Sequence, residues 1–176
     1  SKHWSEWIQF RTAKSTYAPI QFVYFGDAQN DILDHWSRVI RMAYQTAPNA
    51  SFAIHAGDLV NTAHRDHEWA QWFKAGGFLH SQWTAVPAVG NHEFSPLGRI
   101  PVGKKRVSIQ WRPQFTLPVE KSLDSELHET VYSVDYQDVR IIVLNSNDNL
   151  EQQTKYLEAQ LKNCTAKWKI VTCHHS

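Results

Sequence analysis

Short apolar runs alternate with longer amphipathic stretches along most of this 176-residue chain, and this order constrains the fold more than any other feature. The runs at 20–25, 51–56 and 84–89 predict strands. The stretches at 32–46 and 67–79 predict helices, because their apolar residues recur at helical spacing. A strand–helix–strand–helix–strand order favours parallel strands joined by right-handed crossovers. The sequence therefore predicts an α/β fold.

The sequence also predicts the ends of the two helices and the elements of the second half of the chain. Asp31 is a reasonable N-cap for the first helix, and Gly76-Gly77 should end or weaken the second. The remaining predicted elements are a Pro-rich surface loop over 100–118, a hairpin with strands 131–136 and 139–145, a helix over 154–161 and a last strand over 168–173.

Residues 1–18 do not fit the α/β pattern. Ile8, Phe10 and Thr12 lie at alternate positions, a period of two that predicts a lone strand, and a linker follows as far as Pro19. Because a strand needs a partner, we expect this segment to belong to a domain that precedes the α/β domain, which we place at 19–176.

Four of the predicted strands lead into loops that begin with a potential metal ligand. These residues are Asp27, Asp58, Asn91 and His174. Open α/β sheets place their sites at the carboxyl ends of their strands, so side chains far apart in sequence could meet at one edge. Each motif alone has a plainer interpretation, since a Gly-Asp pair is usually a turn or a cap and a His pair can lie on the surface.

The residue types at this edge suit a pair of metal ions. Two cations about 3.5–4 Å apart need a bridging ligand, and a carboxylate such as Asp58 has the two oxygens for it. The amide oxygen of Asn91 can bind a cation, and His92 beside it could give a proton to a leaving alkoxide. An imidazole from His174 or His175 suits Zn, Fe or Mn, and we prefer His174 because it follows the strand more closely.

Composition excludes some function classes and leaves others open. The net charge is +1 without a basic cluster, so we expect no nucleic acid as a stable partner and no polybasic membrane patch. No apolar run is long enough for a transmembrane helix. Cys173 is either a buried thiol in a strand or joined to Cys164 in a disulfide. Four tryptophans either pack in the core or stack on a base or sugar: Trp69, Trp72, Trp83 and Trp111.

In this order, the four motifs resemble those of the calcineurin-like metallophosphoesterases over 19–176, and within them the purple acid phosphatase branch. The resemblance implies a layered αββα sandwich, partial here, with residues 1–18 left from a fibronectin-like β-sandwich domain. It implies two metal ions, Fe, Zn or Mn. It also favours a secreted or periplasmic location.

Roles for individual residues follow from the resemblance. Asp27 and, more weakly, Gln29 would bind the first metal, Asp58 would bridge both metals, and Asn91 and His174 would bind the second. His92 would contact the phosphate and assist the leaving group, so that Asp58 and His92 are the expected catalytic residues. The expected substrate is a phosphate mono- or diester.

Three departures from the family pattern weaken this expectation. Gln29 stands where many members have a histidine ligand, and Asn61 stands where purple acid phosphatases have a tyrosine. A closing Gly-His-x-His motif, which would add one ligand to each metal, does not occur by Ser176. We therefore expect a fragment that is inactive by itself. The alternative is a non-catalytic binding or scaffolding module on a degenerate phosphoesterase fold.

Overall fold

A parallel sheet carries the first half of the chain. The computed structural model describes residues 3–4, 6–95 and 106–176. Its first sheet contains, in spatial order, the parallel strands β1 (Val23–Phe25), β2 (Phe52–His55) and β3 (Thr84–Pro87). This arrangement confirms the predicted parallel strands.

Helices form both crossovers of this sheet. The first crossover is a π-helical turn, Ile32–Trp36, that continues as α1 (Ser37–Thr46). The second crossover is α2 (Asp66–Gly76) followed by the short α3 (Leu79–Gln82). Gly77 follows the end of α2 with φ +53°, a left-handed conformation that suits glycine. The prediction that the glycine pair ends this helix is confirmed.

A second, mixed sheet follows. Strands β6 (Tyr132–Tyr136) and β7 (Val139–Val143) form an antiparallel hairpin, as predicted, and Gln137 in its turn has φ +52°. Helix α5 (Leu150–Lys162) then returns the chain to β8 (Trp168–Thr172), which is parallel to β7. Strand β7 is therefore the centre of this sheet.

Apolar side chains divide the domain into four layers. Phe52 and Ile54 of β2 pack with Ile141 and Val143 of β7, so the two sheets face each other. On the outer side of the first sheet, the π-helical turn and helix α2 supply tryptophans to an apolar layer that also contains Ile40 of α1. On the outer side of the second sheet, Ile142 packs with apolar residues that include one from α5. The helix–sheet–sheet–helix order confirms the predicted partial αββα sandwich.

The prediction of a surface loop over 100–118 is wrong for its described part, 106–118. Strand β4 (Phe94–Ser95) pairs with β5 (Arg106–Val107), and the short helix α4 (Trp111–Gln114) follows. Trp111 is fully buried and its indole N–H donates to the Glu129 carbonyl at 2.9 Å. The large buried indole fixes this segment, whereas its proline content indicated only a loop. Residues 100–105 lie outside the described part.

The lone strand predicted within 1–18 does not form in residues 3–4 and 6–18. Ile8 and Phe10 are exposed, and no neighbouring strand supplies backbone partners in the described part of the chain. An alternating pattern cannot form a strand without such a partner. The assignment of this segment to a β-sandwich domain remains a prediction.

Two smaller expectations also need correction. Asp31 lies at the N-cap position, but its φ is +49° and its side chain makes no capping hydrogen bond. Its carbonyl oxygen accepts from the amides of Asp34 and His35 instead. Cys164 and Cys173 are free thiols, so the disulfide alternative is wrong. None of the described helices has the length and apolarity that a membrane crossing requires.

Candidate metal centre

The turn after β2 brings Asp58 against the loop after β3. Gly57 has φ +91°, and a side-chain carbon there would lie 2.7 Å from the Gly90 amide nitrogen. A carbon added at Gly90 would lie 2.0 Å from Asp58 Oδ1. Only glycine at both positions permits this approach, which places Asp58 beside Asn91. Asp58 itself has φ +52° and is buried.

The Asp58 carboxylate lies at the centre of the site. Its Oδ1 accepts from the backbone N–H of His92 at 3.0 Å. Its Oδ2 lies 3.3 Å from His174 Nε2 and 3.9 Å from His92 Nε2. One carboxylate from the first sheet thus faces imidazoles from two other loops.

The hydrogen bonds of His174 determine which of its nitrogens faces Asp58. Nδ1 lies 2.8 Å from the Ala56 carbonyl oxygen, which can only accept, so Nδ1 carries the hydrogen. In the neutral ring Nε2 then carries a lone pair, and it lies 3.2 Å from Asn91 Oδ1. With the ring neutral, Nε2, Asn91 Oδ1 and Asp58 Oδ2 converge as three acceptors, an arrangement that a cation would stabilise.

Asp27 completes the group from the loop after β1. Its Oδ1 lies 3.8 Å from His174 Nδ1, and its side chain is 57% exposed. The amide of Ala28 donates to the Asp58 carbonyl at 3.0 Å and ties the two loops together. Asp27, Asp58 and His174 each offer a ligand atom within 4.8 Å of the others.

His92 lies at the rim of this group. Its Nδ1 is 2.6 Å from the Asn61 carbonyl oxygen, so Nδ1 is again the nitrogen that donates. The ring is 34% exposed. Its Nε2 is therefore free to exchange a proton with a molecule bound at the site.

Two other expected ligands behave differently. Gln29 lies two residues after Asp27, and its Oε1 is buried without a hydrogen-bond partner in the part of the chain that the structure describes. His175 is outside the group, because its Nδ1 and its backbone N–H both bond to Ser146 Oγ, at 2.9 and 3.0 Å. Of the His pair, the structure brings His174 to the site.

These donors fit a cation chemically. Carboxylate and amide oxygens together with an imidazole suit the borderline metals Zn, Fe and Mn. The Nδ1–H bond of His174 to a backbone carbonyl is the usual outer contact of a histidine ligand. The unpartnered Oε1 of Gln29 could serve as a further donor.

The sequence analysis missed Glu93, the one fully buried carboxylate near the site in the described residues. Burial raises the pKa of Glu93 to about 7, the Gly90 N–H opposes this shift, and the charge of Asp58 adds to it. In the sequence, Glu93 directly follows Asn91 and His92. The sequence does not show that its side chain forms hydrogen bonds with a loop 35 residues away.

The tryptophans named as candidates for stacking are all buried: Trp69, Trp72, Trp83 and Trp111. The indole N–H of Trp69 donates to the Ala63 carbonyl at 2.8 Å. The prediction that they stack on a base or sugar is wrong in this structure, because their large apolar rings fill the layer beside the first sheet.

Comparison with known proteins gives one family match and a match to a solved structure. The sequence profile of the calcineurin-like phosphoesterases matches residues 20–176. Among solved structures, the chain is similar to purple acid phosphatase PPD1 from yellow lupin (Lupinus luteus) seeds, with a TM-score of 0.69 and 19% identity. The match covers 85% of this chain and 29% of the lupin chain, so this chain spans less than a third of that protein. No curated protein sequence matches.

Proposed function

Because the chain belongs to the calcineurin-like phosphoesterase family, we propose that its parent protein hydrolyses phosphate mono- or diesters at a two-metal site. One observation carries the proposal: His174 Nε2 lies 3.3 Å from Asp58 Oδ2 and 3.2 Å from Asn91 Oδ1. In the neutral ring all three atoms are acceptors, and a cation among them would explain their close approach at loop contacts that only glycine permits.

The residues divide between two metals in this proposal. Asp27 and Gln29 serve the first metal, Asn91 and His174 serve the second, and Asp58 bridges them. Metal ions such as Fe, Zn or Mn would offset negative charge on the phosphoryl group and activate water. The described residues thus supply three ligands to each metal, with Asp58 counted in both sets.

His92 has the contacts of a proton donor to the leaving group. The Asn61 carbonyl holds its Nδ1–H and leaves Nε2 directed at the centre of the site. A positioned general acid contributes about 10²–10⁴-fold to a rate. Asn61 thus supports the site through its backbone, although its side chain is not the tyrosine of purple acid phosphatases.

Hydrolysis of an aryl phosphate by the full-length protein with added Mn²⁺ tests the proposal. Asp58→Asn keeps the shape of the side chain and removes the charge, so we expect activity to fall to background. His92→Ala should lower kcat about 10²–10⁴-fold. Asp135→Asn is the matched control, since Asp135 pairs with Arg140 on the exposed face of the hairpin and its loss should leave activity unchanged. Full activity of Asp58→Asn would refute the proposal.

A non-catalytic module is the second candidate. Gln29 offers an amide oxygen in place of a histidine nitrogen, a weaker ligand that weakens the first metal site. Metal analysis of the full-length protein separates the two candidates: about two equivalents per chain favour the enzyme, and none favours the scaffold.

A further inference from the structure

The side chain of Glu93 collects backbone N–H groups from two different loops. Its Oε2 accepts from the amides of Asp58 at 2.8 Å and Gly90 at 2.7 Å. Its Oε1 accepts from the amides of Leu59 at 2.9 Å and, more weakly, Val60 at 3.4 Å. A single buried carboxylate thus accepts hydrogen bonds from backbone amides of both the turn after β2 and the turn after β3.

We propose that Glu93 is a positioning residue that clamps the Asp58 turn to the Gly90 turn and thereby sets the geometry of the candidate metal centre. Glu93 does not itself join the group of ligands. It acts through Asp58, whose left-handed backbone is uncommon for a residue with a side chain and persists only where surrounding contacts determine it.

The carboxylate is suited to this task in a way that other side chains are not. Four N–H groups point at the two oxygens of this carboxylate. Only an acceptor with several lone pairs and a negative charge can accept hydrogen bonds from all four. The backbone of Glu93 is fixed as well, because the Ser108 amide donates to its carbonyl oxygen at 2.8 Å. The clamp therefore has a defined position relative to both turns.

Glu93→Gln tests this inference, since it keeps the size of the side chain but directs an NH₂ group at two of the N–H donors. We expect backbone amides of Asp58, Leu59, Val60 and Gly90 to exchange hydrogen at least tenfold faster in the metal-free variant. We also expect Mn²⁺ affinity, measured by calorimetry, to fall about 10–100-fold, as for other residues that orient metal ligands.

Glu68→Gln is the matched control. Glu68 is also buried, and its Oε2 accepts a single backbone amide, from Thr62 at 2.7 Å in the same stretch of chain. Its loss should lower thermal stability without changing Mn²⁺ affinity or the exchange of the four clamped amides. A purely structural role for Glu93 would give the same pattern for both variants.

If Glu93→Gln does not fold, the same measurements are made on Glu93→Asp, whose carboxylate is too short to reach both turns. Unchanged exchange of the clamped amides in the variant that folds would overturn the inference, whether or not metal binds. The measurement of Mn²⁺ affinity rests on the proposed function. Failure of the wild type to bind Mn²⁺ would count against that function, while the hydrogen exchange rates would still show whether Glu93 holds the two turns together.

Discussion

His55 and His174 are both largely shielded from water, yet their surroundings differ completely. His174 reaches the strand-end edge, where its Nδ1 donates to a carbonyl and its Nε2 faces the oxygens of Asp58 and Asn91. His55 is the last residue of β2 and points into the aromatic layer. Both of its ring nitrogens are buried without hydrogen-bond partners among the described residues.

Aromatic rings surround His55 in place of ligands. Its ring centroid lies 5.2 Å from that of Trp72, 5.4 Å from Phe25 and 5.8 Å from Trp36, and that of His80 lies 6.4 Å away. Burial lowers the pKa of His55 to about 3, and the neighbouring His80 contributes to this shift. A buried imidazole therefore indicates a metal site only where other acceptors converge on it.

The largest expected effect separates the adjacent residues His174 and His175. His174→Ala removes the imidazole that faces Asp58, so we expect Mn²⁺ affinity to fall at least 100-fold, about 3 kcal/mol. His175→Ala removes the side-chain bond to Ser146 Oγ and an edge contact with the His174 ring at 4.7 Å between centroids, but no ligand, and should leave the affinity within about twofold. Calorimetric titration of both variants measures this contrast, and equal losses would contradict the placement of His174.

Glycine substitutions compare the packing between the loops after β2 and β3 with the packing beside the aromatic layer. Gly90→Ala places a carbon 2.5 Å from the Asp58 backbone nitrogen, so we expect a loss of about 2–3 kcal/mol in the free energy of unfolding. Gly76→Ala meets the His80 ring, and the better helix propensity of alanine partly offsets the cost, so the expected loss is about 1 kcal/mol.

Gly26→Ala is the control for both variants, because nothing lies within 4 Å of the added carbon. Its free energy of unfolding should change by about 0.5 kcal/mol or less. Urea denaturation measures all three variants. A Gly26→Ala loss as large as that of Gly90→Ala would show that contact between the loops is not the cause.

The last prediction concerns pH and the aromatic layer. The folded-state pKa of His55 is about 3 and that of His80 about 4, both lowered first by burial, while the unfolded value is about 6.5. Their contribution to stability is fully present above pH 6.5 and is lost as pH falls toward these folded values. At pH 5 the loss is roughly 2 kcal/mol for each imidazole.

His55→Phe isolates this contribution. The difference in the free energy of unfolding between pH 8 and pH 5 should be about 2 kcal/mol smaller in the variant than in the wild type. Glu93 and the other titrating groups are common to both proteins, so the comparison cancels them. An identical pH dependence in the two proteins would mean that His55 has a hydrogen-bond partner or access to water.

The sequence predicts the parallel sheet, the hairpin and the convergence of Asp27, Asp58 and Asn91, because strand ends of one sheet meet at one edge. His174 reaches the same edge from the end of β8 in the facing sheet, although the strand pattern alone does not show which sheet β8 joins. The sequence does not predict the environment of His55, whose neighbours come from four other elements: β1, the π-helical turn, α2 and α3. Nor does it predict the Glu93 clamp, since its acceptors meet amides about 35 residues away. The buried Trp111 was hidden for the same reason: its partner carbonyl belongs to Glu129, after the predicted loop.

Nitrogen NMR of the histidine rings with bound ¹¹³Cd shows directly which imidazole binds a metal at this edge. We expect a scalar coupling between cadmium and Nε2 of His174, with Nδ1 of the same ring still protonated. We expect no coupling to His55 or His175. Coupling to either of those rings, or no coupling to any of the ten histidines at saturating cadmium, would contradict the assignment of this edge as a metal centre.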